Sequence, residues 1–81
     1  MTTTEFNRLY DWLAGRYKWY SRNQAAYALG VSYTSLRENL EDTRGVNEVG
    51  QSILFCILRE TNLRWSDVEA IVRGARVTIG G

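Results

Sequence analysis

Apolar residues near the start of the chain recur with the period of a helix. Phe6, Leu9, Tyr10 and Leu13 stand at i, i+3, i+4 and i+7, which gives a helix over about residues 4–14 one apolar face. Thr2 and Glu5 ahead of it have the spacing of a capping box, in which hydroxyl and carboxylate each satisfy an exposed amide of the first turn. Gly15 is the expected stop, because glycine enters the left-handed cap conformation without steric cost. RYKWYSR, residues 16–22, then alternates basic and aromatic residues. It is short and has no partner run nearby, so it reads as a linker over the fold, with Trp19 or Tyr20 packed against the next helix.

Ser21 and Gln24 repeat the capping-box spacing and open a helix over about residues 22–29, with Ala25, Ala26 and Leu29 on its inner face. Gly30 breaks that helix. Ser32 caps a third, over about residues 33–41, whose Leu36 and Leu40 lie four apart on the inward side. Glu41 to Gly45 is polar and reads as a loop. A fourth helix, about residues 47–60, carries Val49, Ile53, Leu54, Ile57 and Leu58. Phe55 and Cys56 fall off that stripe, which suits a central core helix or one with a side given to a partner. A buried strand is the competing reading of SILFCIL. Beyond a turn at Asn62 and Leu63, Ser66 and Glu69 give a third capping box, with Asp67 favourable to the helix dipole. Val68, Ile71 and Val72 then face inward on a fifth helix, about residues 67–73, which Gly74 stops. Arg76 to Ile79 alternates like a strand but is too brief to stand alone, leaving a short extended C-terminal tail. The pattern predicts one compact, all-α domain of five helices spanning residues 1–81.

Eighty-one residues suffice for one core, and 44% hydrophobic with 23% charged residues is ordinary for a globular chain. The chain has one cysteine, Cys56, expected as a small buried hydrophobe, and no histidine. A Ser-His-Asp arrangement and an ordinary zinc site are therefore ruled out, and no glycine-rich phosphate loop is present. Neither an enzyme nor a cofactor nor a metal is expected. MTTTEFNRLYDW lacks the basic and apolar regions of a secretory signal, and the longest apolar run, Ile53 to Leu58, is too short for a bilayer. The expectation is a cytoplasmic protein with no membrane partner.

The stretch from Ser21 to Leu40 meets the requirements of a helix-turn-helix. A small residue, Ala26, stands where the helices would cross, and Gly30 four residues later tolerates positive φ. Val31 plugs the turn, and Leu36 lies six beyond the glycine. Ser32, Tyr33, Thr34, Arg37 and Glu38 are left facing outward. The same spacing also suits a plain helical hairpin. Charge bears on the choice. The net charge is only +1, but Arg16, Lys18, Arg22 and Arg37 fall within residues 16–37 with no acid among them. Clustering of that kind is what a modest DNA-binding face requires.

QAAYALGVSYTSL, Gln24 to Leu36, resembles the helix-turn-helix of phage regulators of the lambda Cro and repressor type, the XRE-like superfamily. ILRETNLRWSDVEAIV, Ile57 to Val72, is similar to the closing helices of that family, and the likeness covers roughly residues 4–73. It implies a five-helix, lambda-repressor-like domain. It also implies a sequence-specific transcriptional regulator that binds double-stranded DNA as a homodimer, a repressor of phage or mobile-element type. Base readout would fall to Ser32, Tyr33, Thr34, Arg37 and Glu38. Phosphate contacts would fall to Ser21 and Arg22 at a helix N-terminus, with Lys18, Arg16 and the loop residue Arg44. Arg22 stands where the family often has glutamine.

Glu38, Glu41 and Asp42 bring negative charge to the back of the reading helix and keep a second class open. In it, a protein of the same fold binds and inhibits or modulates another protein. A DNA architectural or packaging factor is a third, against which stand the absence of a wing hairpin and of a basic tail. Phe55, Trp65 and the tail residues Val77 and Ile79 are the expected dimer contact. Tyr17, Trp19 and Tyr20 are read as packing area, with stacking platforms for single strands as the alternative.

Overall fold

The three-and-four spacing of apolar residues is realised as helix throughout. A computed structural model describes residues 1–41 and 48–74, and the elements formed among them are α1 (Thr3–Tyr17), α2 (Arg22–Leu29), α3 (Tyr33–Glu41), α4 (Glu48–Glu60) and α5 (Trp65–Val72). The fold is all-α. SILFCIL lies inside α4, so the strand reading of it falls; within the run Ile53, Leu54 and Ile57 are buried while Phe55 is exposed, the period of a helix and not of a strand. The expected C-terminal tail, with Val77 and Ile79, lies outside the described residues, as do Asp42 and Arg44.

Capping explains where most of these helices start. The Glu5 amide donates to Thr2 Oγ1 at 3.1 Å, and the Thr2 amide donates to Glu5 Oε1 at 2.9 Å, so both arms of the box close. At α2 the Gln24 amide donates to Ser21 Oγ at 3.1 Å, but Gln24 Oε1 accepts from the Tyr20 amide, one residue ahead of the cap. At α3 the Ser35 amide donates to Ser32 Oγ at 3.1 Å. The expected Ser66–Glu69 box does not form. Instead α5 starts two residues earlier, with Arg64 as its cap, and the Arg64 amide donates to Asp67 Oδ2 at 2.8 Å. The short Asp67 carboxylate reaches that amide, while Glu69 lies 3.6 Å from Arg73 one turn on.

Helix ends show one departure. Gly15 does not stop α1, which runs on through Tyr17 and ends at Lys18, whose φ of 59° is left-handed. The Trp19 amide then donates back to the Ala14 carbonyl at 3.0 Å, the long-range bond of a Schellman motif. A mid-helix glycine costs only about 1 kcal/mol, and the packing of Trp19 outweighs it. Trp19 is half-buried against the core, its ring 6.3 Å from that of Tyr10 and stacked at 5.8 Å on that of Tyr17. Tyr20, by contrast, is 84% exposed, so Trp19 is the linker residue that packs.

Phe6, Leu9 and Leu13 of α1 are fully buried and meet the inner faces of the other helices. Each such side chain contributes about 1.5–3 kcal/mol by leaving water. Helix α1 packs against α3 and α5, while α2 and α3 pack on each other and both on α4. Cys56 is half-buried rather than fully buried. The buried polar residue among those described is Asn39, on the inward face of α3, whose Nδ2 donates to the Ser35 carbonyl at 2.9 Å.

Two side chains of α1 tie down the C-terminal ends of other helices. Asn7 Nδ2 donates to the Leu40 carbonyl at 2.7 Å and to the Thr3 carbonyl of its own helix at 2.9 Å. Arg8 Nη1 donates to the Val72 carbonyl at 2.8 Å. Both carbonyls are among the last of their helices, where no intrahelical amide is left to bond them. Among the described residues, no helix is long and apolar enough to cross a membrane.

Candidate nucleic-acid interface

The corner between α2 and α3 is built by its backbone. Gly30 takes φ 71° and ψ 30°, and its amide donates to the carbonyls of Ala26 and Tyr27. The Val31 amide donates to the Ala26 carbonyl at 3.0 Å, completing a Schellman end to α2. Ala26 of α2 and Leu36, in the first turn of α3, are both buried in the core, and Val31 is half-buried against it. The exit direction of α3 is thus fixed by a left-handed glycine on one side and by Leu36 on the other.

That geometry leaves one stripe of α3 bare. Tyr33, Thr34, Arg37, Glu38 and Glu41 are exposed at i, i+1, i+4, i+5 and i+8, a single helical face. Leu36, Asn39 and Leu40 are buried on the other side. A stripe this long suits a major groove, and its side chains supply both donors and acceptors. Arg37 offers a fork for a guanine edge, Glu38 an acceptor for a cytosine amine, and Thr34 a methyl for thymine. Ser32 is exposed too, but its hydroxyl accepts from the Ser35 amide and donates to Ser35 Oγ at 2.8 Å. Its first role is to cap α3.

The basic residues divide into two kinds. Arg16, Lys18 and Arg37 are exposed and have no ion-pair partner among the described residues. Arg22, the first residue of α2, is instead bonded to Glu41, the last residue of α3, with Nη1 2.6 Å from Oε1. Its charge also reaches Tyr10 of α1, whose hydroxyl burial pushes above its usual pKa and the Arg22 guanidinium draws partly back. Ser21 Oγ is engaged as the cap of α2. Of the expected phosphate contacts, Arg16, Lys18, Ser21 and Arg22 therefore lie between the end of α1 and the start of α2, and Arg44 lies outside the described residues.

Two features escaped the sequence reading. Tyr27 is 90% exposed, opposite the Ala25, Ala26 and Leu29 face of α2; its position off that face was the available signal. The Arg22–Glu41 pair joins residues nineteen apart on different helices, and no sequence spacing announces it. Phe55 stands 73% exposed on α4, and Trp65 is 49% exposed at the edge of an open groove of about 260 Å³ that Met1, Leu54 and Val68 also line. Among the described residues, no cluster of three or more histidine, cysteine, aspartate or glutamate side chains is placed to hold a metal ion. No family model, curated protein or solved structure matches the chain.

Proposed function

We propose that this chain is a non-enzymatic, cytoplasmic transcriptional regulator of the phage Cro and repressor type. It would bind double-stranded DNA sequence-specifically, with α3 in the major groove. The observation that carries this is the α2–α3 corner: a left-handed Gly30 turn presents an exposed stripe of Tyr33, Thr34, Arg37 and Glu38. Arg16 and Lys18 supply unpaired positive charge at the neighbouring end of α1 for the phosphate backbone. One copy offers few such contacts. A homodimer through the Phe55 and Trp65 side would double them and read a two-fold operator with half-sites about one helical turn apart.

Binding to random and to selected duplexes across salt concentration tests this. The expected outcome is enrichment of related, two-fold sequences and a log-log salt slope of several units. Absence of binding to any duplex at low salt would sink it. The Arg22–Glu41 pair favours a second reading, since it withdraws one of the four cations of the basic segment. A fold-matched module that inhibits another protein needs no surplus charge there. That module would show no duplex selection and would carry its contacts on the same α3 stripe.

A further inference from the structure

Glu41 sits at the far end of the exposed stripe of α3 and holds the guanidinium of the first residue of α2. In the mode of binding proposed above, on which this inference rests, the N-terminus of α2 is a phosphate position: its unbonded amides and a cation beside them face an anion. The carboxylate oxygen 2.6 Å from Arg22 Nη1 makes a short charge-assisted bond of the kind a phosphate oxygen would also make, at about 2.7–2.9 Å. Neither side chain is buried, with 38% and 55% of their surfaces exposed. The pair is therefore open to exchange of one anion for another, and it is not a fixed part of the core.

We propose that Glu41 is an internal competitor for the DNA phosphate. It occupies Arg22 in the free protein and must yield it when a duplex docks. It thereby lowers the sequence-independent part of the affinity while leaving the base-reading residues Thr34 and Arg37 untouched. A protein with so small a net charge, +1 over the whole chain, then discriminates by base contacts more than by charge. The alternative role of the same bond is to aim Arg22 at the phosphate, which predicts the opposite sign.

Fluorescence anisotropy with a labelled duplex of mixed sequence separates these. Glu41→Gln keeps the side-chain length and removes the charge. It is expected to bind more tightly than wild type at low salt and to steepen the log-log salt slope by about one unit. That amounts to an extra loss of about fourfold between roughly 50 and 200 mM salt. In an Arg22→Gln background the Glu41→Gln gain should vanish, because the freed cation is no longer there. Unchanged or weaker binding by Glu41→Gln overturns the proposal. So does a gain that survives in the Arg22→Gln background, which would mean simple relief of repulsion along the stripe. If wild type binds and Glu41→Gln does not differ from it, only the competitor role is lost. If wild type and both variants bind no duplex, DNA binding itself is wrong.

Discussion

At φ 59° the backbone of Lys18 lies in the left-handed region, where a Cβ crowds the next carbonyl, while Gly30 takes φ 71° at the next corner with no Cβ to crowd. The two positions do the same work at the ends of α1 and α2, so they form a matched pair for substitution. Lys18→Gly should raise stability by about 0.5–1 kcal/mol. Gly30→Ala should lower it by about 1–2 kcal/mol. A Cβ at residue 30 would meet nothing closer than Arg59 Nη2 at 3.9 Å, so that loss is backbone strain alone. Urea denaturation checks both. On the proposed DNA-binding reading, base readout would depend most on Arg37, an exposed cation on the stripe with no ion-pair partner among the described residues. Arg37→Ala should cost about 1–3 kcal/mol of binding and relax preference at one base position. Equal weakening on every sequence would make it a phosphate contact instead.

Among the elements, the first turn of α1 has a pH signature. Its capping bonds to Thr2 hold the Glu5 carboxyl below the ordinary carboxylate range. The folded state thus favours the charged form, and the stabilisation is in full effect above the unfolded pKa and fades as pH falls through the lower, folded one. Glu5→Gln should flatten that part of the stability–pH curve by lowering stability at neutral pH while leaving acid pH nearly unchanged, as thermal melts across pH will show. The box was legible because its chemistry is local, and so were the five helices, whose periods need only a window of neighbours. The end of α1 was not. Gly15 is a plausible stop by itself, and what overrides it is Trp19 packing on Tyr10, a contact made after the chain has turned. The start of α5 was off by two residues because Asp67 and Glu69 are both suitable partners for a cap, and only the fold selects between them. For the same reason the stripe on α3 could be read from the sequence, whereas the bond that ties its end to Arg22 could not.

For the molecule as a whole, the exposed Phe55 belongs to the question of assembly. If α4 carries the dimer contact, Phe55→Lys should shift sedimentation to the monomer and shallow the salt slope of DNA binding. A chain that sediments as a monomer before any substitution would remove the two-fold operator. The hydrogen bonds from Asn7 and Arg8 carry a different implication, for the order of events in time. They join residues 33 and 64 apart in the chain, and neither can close until α3 and α5 already stand beside α1. Oriented side-chain bonds that need two helices already docked are expected to close late, after the main barrier has been crossed. Asn7→Ala and Arg8→Ala should therefore leave the refolding arm of a chevron almost where it was and lift the unfolding arm. A loss of about 1 kcal/mol corresponds to roughly fivefold faster unfolding. These two side chains govern how long the native state lasts, with little bearing on how quickly it is reached.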